Sequence, residues 1–312
     1  MMASRWMAAA ALGVCMLASA QAQTRVITLG TQGGPMPSAT RAQPATAVIV
    51  RDRVYLVDAG NGVSLQLAKA GLDHRRVDQI FITHNHDDHN ADWGTLMGLQ
   101  WATGRRQPTH VHGPAGTEAM LKGFLEYFKP NARIRMADSK GLMPPEQMFK
   151  AHDYKGSGEV YRDDLISVTA AENCHYAQDG AGASGLDQSY SLRIQTPDRV
   201  IVFSGDTGKC ERVLALAKDA DLLIHEVIDL DLIDKALSAM LPAPAAQALM
   251  RHMRDEHTTA EDVGRLAKAA GVKHLVLNHI IPGADEPDSV YLEPVKRQYS
   301  GPVTVARDLM SF

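Results

Sequence analysis

The segment at residues 83–89 constrains this chain more than any other. It reads Thr-His-Asn-His-Asp-Asp-His and follows the apolar stretch 79–82, so three imidazoles and two carboxylates fall within six residues. Neutral imidazoles and carboxylates are the ligands that suit zinc and similar divalent metals. The end of a strand is where α/β folds place chemistry, because the strand is rigid and the following loop reaches the ligand. The segment therefore predicts a metal site.

The first 22 residues have the composition of a secretory signal peptide. Arg5 supplies a positive start, residues 6–17 are apolar, and residues 18–20 form an Ala-Ser-Ala cleavage site. The apolar run is too short for a membrane anchor. We expect an exported protein, periplasmic or secreted, whose mature part (residues 23–312) is a single domain without membrane contact after cleavage.

The mature chain is acidic. Removal of Arg5 leaves 31 of the 32 Lys and Arg residues against 36 Asp and Glu, a net charge of −5. Proteins that bind nucleic acid usually carry a basic surplus. The charge therefore predicts no nucleic-acid partner. Two cysteines also remain, Cys174 and Cys210, which either pair in an oxidising compartment or stay as inert thiols.

Strand-like and helix-like patterns alternate along both halves of the chain. Strands are predicted at residues 25–29, 47–50, 54–57, 79–83, 109–112, 199–204, 221–224 and 273–277. Thr258, with Glu261 three residues later, predicts a capping box for a helix that ends at Gly271. Most of the candidate polar residues follow a strand. The pattern predicts an α/β fold, a four-layer αββα sandwich with the site along one edge of the strands.

Several short motifs occur in an order known from one family. Residues 83–89 fit the signature His-x-His-x-Asp-His. Further motifs are Leu-Gly-Thr, Asp-Ala-Gly, Gly-Pro, Ser-Gly-Asp-Thr, His-Glu, His-Thr-Thr and Asn-His, which begin at residues 29, 58, 113, 204, 225, 257 and 278. Together they resemble the metallo-β-lactamase superfamily over nearly all of the mature chain. Residues 203–282 are especially similar to its ribonuclease Z-like branch, which also contains secreted arylsulfatases and cyclic-nucleotide phosphodiesterases.

This resemblance implies a site for two zinc ions, or for other divalent metals in their place. The implied ligands are His84, His86 and His175 for one ion, Asp88, His89 and His279 for the second, and Asp206 as the bridge. Two metals about 3.5–4 Å apart suit ester hydrolysis because they hold both the attacking and the leaving oxygen. Residues 83–89 are called the metal loop below. Asp58 is expected to orient this loop through hydrogen bonds, and Asp87 is expected to be solvated.

The resemblance also implies that His257 protonates the leaving oxygen while Glu226 holds the imidazole. We take these two residues and Asp88 as the catalytic set. A buried structural His–Glu pair is the alternative interpretation of His257 and Glu226. No role is predicted for the histidines at positions 110, 112, 152 and 252.

Three departures from the family direct the expected function. The chain carries an export signal, and only 30 residues separate His175 from Asp206, where ribonuclease Z enzymes carry a long arm for transfer RNA. Residues 227–256 are extra material with two amphipathic helical stretches, which form either a surface hairpin or a lid over the site.

We therefore expect an exported dizinc hydrolase of small anionic esters, arylsulfatase-like or phosphodiesterase-like. In this hypothesis a hydroxide that bridges the two metals attacks sulfur or phosphorus. A lactonase or β-lactamase with the same metals is the alternative, and a non-enzymatic metal-binding protein is a third hypothesis. The sequence is compatible with a homodimer.

Overall fold

A computed structural model describes residues 24–176, 187–283 and 286–312. The predicted signal peptide lies outside the described residues, so its assignment stays a prediction. Within the described ranges, no helix combines the length and the apolar character needed to cross a membrane.

The described strands form two seven-stranded sheets. In chain order they are β1 Arg25–Gly30, β2 Ala45–Val50, β3 Arg53–Val57, β4 Val77–Phe81, β5 Thr109–Gly113, β6 Phe149–Asp153, β7 Gly158–Arg162, β8 Ser167–Glu172, β9 Tyr190–Gln195, β10 Val200–Phe203, β11 Leu222–Ile228, β12 Leu275–Ile281, β13 Val303–Val305 and β14 Met310–Ser311. The first sheet has the order β14-β1-β2-β3-β4-β5-β6, and the second has the order β13-β12-β11-β10-β9-β8-β7. Each half of the chain thus supplies most of one sheet.

Helices cover the outer face of each sheet. The described α-helices are α1 Val63–Lys69, α2 Asp87–Asn90, α3 Trp93–Ala102, α4 Thr117–Asp138, α5 Pro145–Met148, α6 Glu211–Leu216, α7 Leu230–Met240, α8 Ala243–Glu256, α9 Ala260–Ala270 and α10 Ser289–Gln298. Helices α1, α3 and α4 share an apolar cluster with the first sheet, and α9 and α10 share one with the second. A third cluster lies between the two sheets.

Strand β2 shows how the sequence produces these layers. Ala47 and Ile49 pack with the helices of the first sheet, whereas Val48 and Val50 pack between the sheets. A strand that is buried on both faces is continuously apolar rather than alternating. The predicted four-layer αββα sandwich is confirmed.

Two local predictions, the end of β11 and the cap of α9, are wrong. Strand β11 does not end at Ile224, because it continues to Ile228 beside β12, and all seven of its residues are buried. Glu226 therefore lies inside a strand rather than after one. The helix cap is Thr259, whose side chain accepts a hydrogen bond from the Asp262 amide. Thr258 instead donates its hydroxyl to the Thr207 carbonyl at 2.6 Å and so anchors a neighbouring loop.

Candidate metal centre

Four separate segments bring histidine and aspartate side chains to one edge of the two sheets. They are the loop and short helix after β4, the loop after β8, the loop after β10, and β12 itself. Because neighbouring parallel strands end at the same edge, ligands that are far apart in sequence meet there.

The first group consists of three imidazoles with converging nitrogens. Nδ1 of His86 lies 3.0 Å from Nε2 of His84 and 3.2 Å from Nε2 of His175. Burial lowers the pKa of His84 well below its ordinary value and that of His175 to about 3. Burial likewise lowers the pKa of His86. These histidines are therefore neutral, which is the form that binds a metal ion.

The second group surrounds Asp206. Its Oδ2 lies 3.1 Å from Nε2 of His279, and its Oδ1 lies 3.3 Å from Nε2 of His89. Asp88 completes the group, with Oδ2 at 3.4 Å from His279 and 3.5 Å from His89. Oδ2 of Asp206 is also 3.9 Å from Nε2 of His84, so this carboxylate faces both groups, as a bridge requires.

The second group has the electrostatics of a cation site. Nε2 of His89 and Oδ1 of Asp206 are buried, and neither atom forms a hydrogen bond within the described part of the chain. Burial alone would lower the pKa of His89, but the carboxylates of Asp206, Asp88 and Asp58 outweigh it and raise this pKa well above the ordinary value. Buried polar atoms without partners are costly. The donor set therefore fits divalent cations, whose identity and number stay predictions.

Asp58 accepts hydrogen bonds from the metal loop. Its Oδ1 accepts the Thr83 amide at 2.8 Å, and its Oδ2 accepts Nδ1–H of His89 at 2.8 Å. The second contact fixes the ring so that Nε2 faces the ligand group, as buried carboxylates do behind metal-binding histidines. This contact pattern agrees with the expected orienting role. Asp87, in the same loop, is exposed as expected.

His175 is oriented by a group that sequence reasoning missed. Its Nδ1–H donates to the backbone carbonyl of Glu256 at 3.0 Å. This bond fixes the tautomer and leaves Nε2 for the metal. A backbone carbonyl is present at every residue, so no sequence signal could have identified this one.

Backbone irregularity places His279. Glu226 pairs with Asn278 and Val227 pairs with Ile280, which leaves His279 as the extra residue of a β-bulge with φ of 44°. A bulge interrupts the alternation of a strand and re-aims one side chain. Asn278 and His279 were expected to follow a strand, but they lie within β12.

Gly34 packs directly against the second group. A Cβ atom at this position would lie 1.8 Å from Oδ2 of Asp88. The absence of a side chain at Gly34 therefore permits the loop that follows β1 to approach the site closely.

His257 and Glu226 form a buried pair beside both groups. Nδ1 of His257 lies 3.0 Å from Oε2 of Glu226, and the His257 ring centroid lies 5.3 Å from that of His175 and 5.9 Å from that of His279. Burial alone would lower the pKa of His257, but the Glu226 carboxylate outweighs it and raises this pKa to about 9. The imidazole is therefore suited to deliver a proton.

A disulfide joins two of the loops that carry these residues. Cys174 and Cys210 are bonded, with their Cα atoms 5.6 Å apart. Cys174 precedes His175 directly, and Cys210 follows Asp206 by four residues. Of the two alternatives left open by the sequence, the structure contains the paired form.

The structure thus brings together every predicted site residue, namely His84, His86, Asp88, His89, His175, Asp206, Glu226, His257 and His279. Of the four histidines named above as having no predicted role, three lie elsewhere. His110, His112 and His152 stack along the edge formed by β5 and β6, with ring centroids 4.8–6.3 Å apart. His252 differs from these, since its ring lies close to His175 and His257.

An αββα sandwich with two converging His/Asp groups at the sheet edge defines a metallo-hydrolase of the β-lactamase fold. Residues 53–280 match the β-lactamase superfamily domain. The chain belongs to the metallo-β-lactamase superfamily, in its ribonuclease Z-like branch. A ribonuclease Z from Mycobacterium sp. (strain KMS) is 31% identical over 259 residues, which cover 82% of this chain and 84% of the relative.

Two solved structures show the same fold. The metallo-β-lactamase fold protein YhfI from Bacillus subtilis superposes with a TM-score of 0.67 and 19% identity over 93% of this chain and 98% of its own. Human tRNase Z, short form, has a TM-score of 0.65 and 22% identity over 92% and 98%.

The expectation of no nucleic-acid partner is wrong. It is overturned by relatives that share 31% identity over most of both chains and are ribonucleases by name. The net charge led to a wrong prediction because it is a sum over the whole chain and does not report the local charge at the site. Bound divalent cations are often the largest local charges in a site, and an acidic total does not prevent such a site from attracting a polyanion.

We expect Asp58→Asn to weaken zinc binding about 10–100-fold, because the loss of a carboxylate behind a metal-binding histidine has this effect. Asparagine tolerates the positive φ of 59° at this position. The zinc dissociation constant is measured by competition with a chromogenic chelator. Asp87→Asn, exposed in the same loop, is the matched control, and equal affinities for both variants would contradict the orienting role.

Proposed function

We propose that this protein is a metal-dependent phosphodiesterase whose substrates include RNA phosphodiesters. The observation that carries this proposal is the His257–Glu226 pair beside the two ligand groups. A phosphodiester expels a poor leaving group, an alkoxide, which needs a proton as it departs. A lactone or β-lactam makes a weaker demand for such an acid, so the pair favours the phosphodiester over the carbonyl alternatives.

Two sets of ligands in this chain would each hold one divalent cation. His84, His86 and His175 would hold one divalent cation, Asp88, His89 and His279 the second, and Asp206 would face both. When bound, these cations would neutralise charge on the ester oxygens and acidify the attacking water.

The proton-delivery pair acts on the leaving group. Glu226 accepts Nδ1–H of His257, which leaves Nε2–H for the leaving oxygen. Oε1 of Glu226 also accepts the Thr207 amide at 2.9 Å, so the glutamate couples the acid to the Asp206 loop.

A small anionic ester, such as an aryl sulfate or an aryl phosphodiester, is the second candidate substrate. The connection of 30 residues between His175 and Asp206 supports it, because this length leaves no room for the long transfer RNA arm of the ribonuclease Z enzymes that the sequence resembles. Sulfate and phosphate esters are both tetrahedral anions, so the same ligand groups suit either one.

A substrate panel tests both candidates. We expect the zinc-loaded protein to cleave bis(p-nitrophenyl) phosphate and an RNA with a 3′ extension, to lose this activity on chelation, and to regain it with added zinc. Release of p-nitrophenol and gel analysis of the RNA measure the two reactions. Cleavage of bis(p-nitrophenyl) phosphate or p-nitrophenyl sulfate without cleavage of the RNA would favour the second candidate. Turnover of only a lactone or a cephalosporin would contradict both.

His257→Ala should separate substrates by their leaving groups. Loss of a general acid costs about 10²–10⁴-fold when the leaving group is poor, so we expect kcat on a ribodinucleotide to fall by that amount. With bis(p-nitrophenyl) phosphate, whose leaving group needs little protonation, the loss should be far smaller. His110→Ala is the control, and equal losses on both substrates would exclude the proton-donor role.

We also propose that the protein is exported. The signal-like composition of residues 1–22 supports this, as does a disulfide, because such bonds persist mainly in oxidising compartments.

Export predicts that the full-length chain, expressed in a Gram-negative host, reaches the periplasmic fraction without its first 22 residues. Its two remaining thiols should react with an alkylating agent only after reduction. Cell fractionation and mass spectrometry measure both properties. A cytoplasmic, full-length protein with reactive thiols would overturn the proposal.

A further inference from the structure

Within the extra segment 227–256, residues 230–256 fold as a helical hairpin with a small core of its own. Helices α7 and α8 pack through Leu237, Ala246 and Met250. The hairpin leaves strand β11 two residues after Glu226 and returns to the chain at His257. It therefore connects the two members of the proton-delivery pair.

The last turn of α8 is part of the site. Glu256 is the final residue of this helix, and its backbone carbonyl accepts Nδ1–H of His175 at 3.0 Å. His257 follows immediately. The position of α8 is thus set by contact with a candidate metal ligand, and the side chains on this turn stand at a fixed place relative to the site.

His252 lies one helical turn before Glu256. Its Nδ1 is 3.0 Å from Oε2 of Glu256, and its ring centroid lies 6.1 Å from that of His257 and 6.5 Å from that of His175. The His252 side chain is 36% exposed, whereas that of His257 is only 6% exposed. His252 therefore borders the buried histidines on the side that solvent reaches.

Neither a structural role nor a metal role accounts for this residue. A partly exposed i, i+4 His–Glu pair contributes little to stability. His252 also belongs to none of the ligand groups found among the described residues. What remains is an imidazole whose Nδ1 contacts Glu256 and whose ring lies beside His257 and His175 at the rim of the centre.

We propose that His252 is a substrate-binding residue, which contacts an oxygen of the phosphodiester through Nε2 while Glu256 holds Nδ1. This inference rests on the proposed phosphodiesterase function. An imidazole held by a carboxylate is preorganised, so little side-chain entropy is lost when the substrate binds. In this proposal the hairpin covers the substrate pocket, and His252 is the hairpin residue that contacts the substrate. His252 does not take part in the bond-breaking step.

A KM-against-kcat comparison tests this role. The variants are His252→Ala and His252→Gln, in which the glutamine amide keeps a polar group at the reach of Nε2. We expect His252→Ala to raise the KM for bis(p-nitrophenyl) phosphate about 10-fold or more, as for a lost hydrogen bond to a charged group, with kcat nearly unchanged. His252→Gln should recover part of the affinity.

The matched control is His74→Ala. His74 is similarly exposed at 30%, lies next to a carboxylate at Asp73, and precedes β4 at the end of the strand remote from the metal loop. Its removal should leave KM and kcat unchanged. Thermal unfolding of each variant checks that the fold is intact, and His252→Gln carries the test if the alanine variant does not fold.

Calorimetric titration of the zinc-loaded protein with inorganic phosphate gives a second readout that needs no turnover. We expect His252→Ala to weaken phosphate binding by the same factor as KM. Unchanged KM and unchanged phosphate affinity would overturn the proposal, as would a loss confined to kcat. If wild-type protein cleaves no phosphodiester, the proposed function fails, and the phosphate titration then decides the role of His252 by itself.

Discussion

The rest of the structure depends on one electrostatic constraint, the burial of Asp206 among imidazoles. Burial would raise the pKa of this carboxyl, but the histidines around it, above all His279 and His89, outweigh burial and hold the pKa well below the ordinary value. Nε2 of His89 and Oδ1 of Asp206 still lack hydrogen bonds within the described residues. Such an arrangement is tolerable in a folded protein when cations complete it. Contacts among the surrounding loops keep these groups in place.

Several independent contacts restrain the loops that carry the site. Asp58 holds the segment after β4, the disulfide joins the loops of His175 and Asp206, and Thr258 anchors the carbonyl of Thr207. Glu226 contacts both His257 and the Thr207 amide. The restraining residues lie within a strand or close to a strand or helix end, and such rigid supports let a site keep its geometry without a bound substrate. The helical hairpin adds a further restraint, because the backbone carbonyl of Glu256 accepts Nδ1–H of His175.

Prediction from the sequence succeeded where one short motif contains several ligand residues. Residues 83–89 predicted the metal loop because their ligands are adjacent, and the apolar runs predicted both sheets because buried strands need them. It failed where a property depended on distant parts of the chain. Net charge did not report the local field at the site, the end of β11 depended on its pairing with β12, and His252 became relevant only because α8 packs against His175.

The sequence by itself determined the αββα fold, the residue types of the metal groups and the position of residues 83–89 directly after a strand. It also identified the His257 and Glu226 pair through family resemblance. Only the tertiary structure decided how Asp206 faces both groups, that Cys174 bonds Cys210, and that the bulge at His279 turns its ring towards the site. Spacing along a chain records which ligands are available. Distances of 3–4 Å between atoms from four separate segments arise only when strands pair and loops pack.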